Sequence, residues 1–307
     1  MYDVVLLTLG DGPADGGCGT RAPVLACADA LRAAGAHTEI ITATSDLEID
    51  AILARLDGPA RADGLSWPDT DGKTRLVVAS AADGQLRAVV RRLVRRYAPP
   101  PSRRPDDLPA GRTVPDLPPI GVLPLGPARS GAGHDLAVLL GLLRDPADVA
   151  AAVLDGRARR LDLLRTDAGS VTLDGVLIGD TDSAGRPLTW RARVEVDDAV
   201  LSDGGDPLVA CVVANAAGYA ELDWLPLLSG ADPADGQVEV AVALPVVTRS
   251  WLGRRRMRIE VRRARGRAAA VTPREAELPF VDDGVAGTLG RKRSWWIEAG
   301  AWAVYSG

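Results

Sequence analysis

A chain of 307 residues with 47% hydrophobic content is long enough for one large or two ordinary domains with a sizeable core. Its formal net charge of -5 and pI near 5.2 exclude a chain-wide basic field of the kind that holds nucleic acid. Three cysteines (Cys18, Cys27, Cys211) and two histidines (His37, His134) offer neither zinc-site spacing nor a disulfide framework, and no apolar run nears bilayer length, so a soluble, cytoplasmic protein is expected.

Tyr2–Leu9 is apolar without alternation, which predicts a strand buried on both faces. Gly10–Gly19 reads as a loop. Pro23–Ala34 reads as a helix with Pro23 in its first turn, Leu25, Ala28 and Leu31 on successive turns, and Gly35 as its stop. His37–Ala43 follows as a strand, with His37 at an edge, and Ser45 or Asp46 caps a helix to about Leu56. After an irregular Asp57–Thr74, the strand Arg75–Ala79 leads through the tight turn Ser80–Gln85 into a helix ending at Tyr97, with Leu86, Val89, Val90, Leu93 and Val94 on its apolar face. Asp83 in that turn suits either a helix cap or water-mediated contact with Mg2+.

Ala98–Pro119 has prolines at short intervals and predicts an extended, partly mobile surface loop. Ile120–Leu125 is a short buried strand. Gly126, Gly131 and Gly133 then break regular structure, and from Asp135 the residues Leu136, Leu139, Leu140 and Leu143 recur at helical spacing. Such a junction is either an anion seat, through unpaired N–H groups and the helix dipole, or an ordinary strand-to-helix turn capped by Asp135. A helix over Asp145–Leu154 starts at Pro146 and ends at Asp155-Gly156.

From Arg159 the periodicity switches to short alternating or β-branched segments separated by Asp-Gly, Gly-Gly and Ala-Gly turns, which predicts an all-β second domain. Arg254–Arg267 is strongly basic, with Arg255, Met257, Ile259 and Val261 alternating against Arg256, Arg258, Glu260 and Arg262. Two accounts fit it: a solvated strand face, or a patch for anionic lipid headgroups.

Several stretches carry a resemblance. LPLGPARSGAGHDLAVLLGL is similar to the second signature, PLGTGNDFARxLG, of the diacylglycerol kinase catalytic superfamily. The match lies in Pro124-Leu125-Gly126, Gly133-His134-Asp135, Leu136-Ala137 and Leu140-Gly141, with His134 for Asn and Pro127–Ala132 for a single Thr. The turn after Ala79 resembles the first signature, VVxGGDGTxxEVxNG. It keeps Asp83-Gly84 but has Ala81-Ala82 for Gly-Gly, Gln85 for Thr and Ala88 for Glu. Gly10–Gly19 stands in the place of the NPxSG loop. Leu161-Asp162-Leu163, Asn215, Asp235-Gly236 and Val281–Val285 (VDDGV, in the place of DGE, with Val285 for Glu) follow in the family's order, and Trp295–Tyr305 resembles its returning final strand.

The resemblance implies an α/β nucleotide-binding-like domain, doubly wound on a mostly parallel sheet, over residues 1–135 and 295–307. An all-β, sandwich-like substrate-binding domain over 136–294 completes the expectation. It implies ATP over Ala82, Asp83, Gly84, Gln85, Gly126, Gly133, His134 and Asp135, Asp83 and Asp283 as catalytic residues with Asp283 as general base, and Asp235 in a Mg2+-linked network. The acceptor would be a hydroxyl of a diacylglycerol-like lipid or other small molecule, with peripheral membrane contact and a homodimer both compatible. Substitutions at Ala81, Ala82, Gln85, Ala88 and Val285 favour a second reading, a catalytically inactive homologue that binds a ligand or partner. A nicotinamide nucleotide kinase relative would share the GGDG turn, but the PLG element and β pattern fit the lipid group better.

Overall fold

The computed structural model describes residues 2–10, 18–69, 72–126, 135–222, 225–249, 255–274 and 277–307. The chain divides into a first unit, Met1–Asp162 with Glu298–Gly307, and a second unit, Leu163–Ile297.

In the first unit, β1 (Asp3–Leu9), β2 (His37–Ala43), β3 (Thr74–Ser80) and β4 (Pro119–Pro124) alternate with α1 (Cys18–Ala33), α2 (Asp46–Leu53) and α3 (Asp83–Tyr97). The strands lie parallel in the order β2-β1-β3-β4. Beyond β4 the end of the last strand, β18 (Arg293–Tyr305), joins in parallel through Ala303 and Val304. Parallel strands need crossovers, and the crossover helices cover the sheet, which is why these strands read as continuous apolar runs. Val4, Leu6, Val77, Ala79 and Leu123 share a core with Val24, Cys27, Ala28 and Leu31 of α1. The apolar stripe of α1 therefore runs 24-27-28-31 and leaves Leu25 51% exposed. Pro23 lies inside α1, because the helix begins ahead of it at Cys18.

Two other expectations change in this unit. The proline-rich stretch after Tyr97 is not all surface: Leu108, Val114 and Leu117 are buried, and Thr113 N–H donates to Oε2 of the buried Glu298 at 2.7 Å. The helix after Asp135, α4 (Leu136–Leu139), lasts one turn. Gly141 takes φ 58, and Leu142 N–H closes on the Ala137 carbonyl at 2.8 Å. A left-handed residue there ends the helix, and glycine adopts it without a Cβ penalty. Next, α5 (Pro146–Asp155) is capped by Asp145, whose side chain accepts from Ala147 N at 2.8 Å. Val149, Ala150 and Val153 of α5 enter the same core as α1, so the first unit extends to Asp162 rather than ending at residue 135.

The chain enters the second unit along β5 (Ala158–Thr166) and leaves it along β18. Between them run β6 (Val171–Thr172), β7 (Gly175–Ile178), β8 (Ala192–Val196), β9 (Ala199–Asp203), β10 (Ala210–Ala214), β11 (Glu221–Leu222), β12 (Leu225–Pro226), β13 (Val238–Arg249), β14 (Arg255–Gly266), β15 (Ala268–Pro273), β16 (Leu278–Asp282) and β17 (Val285–Leu289). One antiparallel sheet has the order β14-β13-β10-β7-β16-β17. Facing it are β9, β8, β15 and the start of β18, all antiparallel. The core between the layers takes Val176, Val213 and Val240 from one and Val194, Val271 and Trp295 from the other. Alternation of inward and outward residues along each strand builds such a sandwich.

Candidate functional site

In a sheet of this order, the crevice for a ligand lies past the carboxyl ends of strands where the order reverses. A cleft of about 130 Å³ sits at the carboxyl ends of β3 and β4, beside that point, in the first unit, lined by Ser80–Asp83, Leu86, Val122, Pro124, Gly126, Asp135–Ala137, Leu142 and Arg144. The turn after β3 is held from within. Ser80 Oγ donates to the Ala82 carbonyl at 2.7 Å, and Gln85 Oε1 accepts the Ala81 N–H at 2.8 Å. Ala82 is the N-cap of α3 and supplies no side-chain acceptor. Asp83 opens the helix, and its Oδ1 accepts the Leu136 N–H at 3.2 Å, tying the start of α3 to the start of α4.

The other wall is organised by Asp135 and Arg144. Asp135 caps α4 by accepting the Val138 N–H at 3.1 Å, and Arg144 Nη2 donates to both its carboxylate oxygens at 2.6 and 2.5 Å. Arg144 Nη1 also donates to the Gly126 carbonyl at 3.3 Å. One guanidinium thus clamps the described ends of the loop that carries the second signature. The described wall of the cleft holds two carboxylates and one guanidinium, which is already bound to one of them.

Of the residues expected to hold nucleotide, Ala82, Asp83, Gly126 and Asp135 line this cleft. Gly84 lies in the first turn of α3. Gln85 does not turn into the cleft, because its carboxamide oxygen takes up a backbone N–H of the turn. Gly133, His134 and the loop in the place of NPxSG fall outside the described residues, except for its ends at Gly10 and Cys18-Gly19. Arg144 escaped the sequence reading; its signal was a basic residue directly before the Asp145-Pro146 helix start.

Asp283 and Asp235 belong to the second unit. Asp283 and Gly284 form the turn between β16 and β17, with φ 47 and 77. That is the two-residue hairpin geometry that selects Asp-Gly. The Asp283 carboxylate has no exposed surface. Its Oδ2 accepts the Leu173 N–H at 2.8 Å, and its Oδ1 accepts those of Asp174 and Gly175 at 2.9 and 3.2 Å. Around it, Asp174 Oδ1 accepts from Gly218 N at 2.8 Å, Thr172 Oγ1 donates to Asp282 at 2.8 Å, Asn215 Nδ2 donates to the Leu173 carbonyl at 2.7 Å, and Tyr219 Oη accepts from Gly284 N at 3.2 Å.

Burial, then the neighbouring carboxylates of Asp282 and Asp174, raise the Asp283 pKa to about 8 against the opposing pull of the Leu173 and Asp174 N–H groups. The residue expected as general base is therefore placed as the internal anchor of a turn.

Asp235 accepts the Gln237 N–H at 2.9 Å and lies 3.5 Å from Arg265. It closes a local turn and pairs with arginine. Among the described residues no group of three His, Cys, Asp or Glu side chains is arranged to hold a metal ion. In the described cleft wall the Ala81 N–H is taken by Gln85 and the Asp135 carboxylate by Arg144.

The first unit is thus a doubly wound parallel sheet with a cleft at its carboxyl ends, and the second an antiparallel sandwich entered along β5 and left along β18. Residues 14–166, about half the chain, match the family model described as the diacylglycerol kinase catalytic domain, and the chain belongs to that family. Two solved structures from Bacillus anthracis str. Sterne, described as a diacylglycerol kinase and a putative diacylglycerol kinase, superpose with TM-scores of 0.63 and 0.64. Each is 14% identical over 100% of this chain, covering 97% and 98% of the other. Yeast NADH kinase complexed with NADH has a TM-score of 0.51 and 11% identity, covering 100% of this chain and 84% of that one. No curated protein matches the chain. No helix among the described residues is long and apolar enough to cross a membrane.

Proposed function

We propose that this chain is a member of the diacylglycerol kinase catalytic domain family that binds a small ligand in the cleft of its first unit and transfers no phosphoryl group. The observation that carries the reading is the Asp283 carboxylate, buried and saturated by three backbone N–H groups. Phosphoryl transfer asks the protein chiefly for positioning, charge neutralisation and a base at the acceptor hydroxyl. The cleft supports the same reading, because Asp83 puts a carboxylate on its wall while the one guanidinium there, Arg144, is already bound to Asp135.

The other reading, ATP- and Mg2+-dependent phosphorylation of a diacylglycerol-like lipid or other small hydroxyl compound, draws on one feature: Asp83 of the first signature's Asp-Gly pair stands at the cleft wall. One pair of measurements separates the two. Titration calorimetry of the full chain with Mg-ATP is expected to give no binding heat, and an assay with labelled ATP on mixed-lipid vesicles is expected to leave the lipid unlabelled. Label in the lipid fraction overturns the proposal.

A further inference from the structure

The proline-rich stretch before β4 holds a charged group that neither reading of the cleft uses. Arg112 is 8% exposed and lies in the chain between the buried Leu108 and Val114. A guanidinium stays this deep where its donors are met, and here they are met in part. Nη1 donates to Asp116 at 2.5 Å. Nε and Nη2 are buried and have no hydrogen-bond partner among the described residues.

The two unmet atoms belong together. In a guanidinium the Nε–H and one N–H of Nη2 project side by side, so they make up one complete edge of the fork. That edge fits two oxygens of a single carboxylate or phosphate, whereas a lone carbonyl or hydroxyl answers only one of its donors. Asp116 is engaged elsewhere: it sits on the one nitrogen outside this edge, its side chain is 58% exposed, and it also lies 3.4 Å from Arg160 Nη2.

Charge gives the sign of the missing acceptor. Arg104 donates through Nη1 to the Arg112 carbonyl and through Nη2 to that of Pro109 at 2.8 Å, and Arg160 donates through Nη1 to the Leu117 carbonyl at 3.3 Å. Burial lowers the Arg160 pKa; Asp116 opposes the shift and Arg112 adds to it, so the two guanidinium charges feel each other. Against the three arginines stand Asp116 and the buried Glu298, which accepts from Thr113. The groups tied into this network thus keep a positive excess, which an anion offsets. The turn leading into Arg112, residues 109–111, is exposed, and exposed turns open locally at small cost, which gives a small ion its entry.

We propose that the Nε and Nη2 edge of Arg112 binds a small oxyanion, a phosphate or a carboxylate compound, within the network of Arg104, Asp116 and Arg160. The occupant is small because neither atom of the edge has appreciable exposed surface. This does not rest on the reading of the cleft. The test is calorimetric titration of the full chain with sodium phosphate and, separately, sodium acetate near neutral pH, with ionic strength held constant by chloride. A saturable one-to-one heat is expected with at least one of them, and the tighter of the two names the source, phosphate or carboxylate. Arg112→Lys keeps the charge but loses the edge, and weakens binding at least about tenfold. Asp116→Asn removes a neighbouring negative charge from an exposed side chain and tightens binding about threefold, which a purely structural Arg112 does not produce. No saturable heat with either anion, or the same affinity in the parent and Arg112→Lys, overturns the proposal. Should Arg112→Lys fail to fold, Asp116→Asn decides alone, and an affinity unmoved or weakened there overturns it.

Discussion

Replacing Asp283 by alanine strips the acceptor from three backbone N–H groups at Leu173, Asp174 and Gly175. Each buried donor left unmade costs about 1–3 kcal/mol. Alanine also tolerates the left-handed backbone at φ 47 less well than aspartate, which adds about 1 kcal/mol. Against this stands relief of a carboxylate buried beside Asp282 and Asp174, which removes part of the cost. The expected net loss for Asp283→Ala is about 4 kcal/mol. Asparagine keeps one oxygen for Asp174 and Gly175 but turns an amide donor toward the Leu173 N–H, so Asp283→Asn should lose about 2 kcal/mol. Urea unfolding followed by tryptophan fluorescence reads this directly, because Trp190 and Trp295 are buried in the core of the same unit. Should both variants unfold within about 0.5 kcal/mol of the parent, the carboxylate is no anchor. A simultaneous loss of measurable phosphate transfer would return Asp283 to the role of base.

The same residue sets a pH dependence. Its folded pKa of about 8 lies well above the ordinary aspartate value of 3.8, so between these the folded state keeps a proton that the unfolded chain releases. Its contribution is therefore most favourable below about pH 4 and declines as pH rises toward 8; unfolding free energies across that range should slope downward, and Asp283→Asn should flatten the slope. In the first unit, Arg144→Ala leaves the nearly buried Asp135 without its bidentate partner and should cost about 2 kcal/mol, seen as a lower Tm by calorimetry; an unchanged Tm would show the clamp to be idle. A Cβ added at Gly121 would sit 2.7 Å from Val153 Cγ2 and 3.1 Å from Val77 Cγ2, so Gly121→Ala should cost about 1–3 kcal/mol. Adding Val153→Ala should return part of that loss, and strictly additive effects in the four-member cycle would refute the contact.

Much of the fold was legible because its signals are local. Continuous apolar runs marked β1, β3 and β4, a helical stripe ending at Tyr97 marked α3, and Asp145-Pro146 with Gly156 marked both ends of α5. The helix after Asp135 was overextended because Leu139, Leu140 and Leu143 keep helical spacing although Gly141 ends the helix before the last of them. Proline content made the stretch after Tyr97 look like surface, since composition carries no record of Leu108, Val114 and Leu117 turning inward. The boundary between the units was set too early because α5 joins the first core by packing on α1, a contact between segments far apart in sequence.

At the site the division is sharper. Residue types and their order were enough to find the Asp83 turn, the loop opened by Gly126 and the Asp283-Gly284 hairpin, and with them the family, because turn chemistry and motif order are written in neighbouring residues. Whether a carboxylate is open to a ligand depends on groups that arrive from elsewhere. The N–H groups that fill Asp283 come from 108 to 110 positions earlier, and the guanidinium that closes on Asp135 reaches it across a helix. Only the tertiary structure decided that one acidic residue lines a cleft while another is sealed in a core, since solvent access and hydrogen-bond saturation belong to the packed chain and not to the motif.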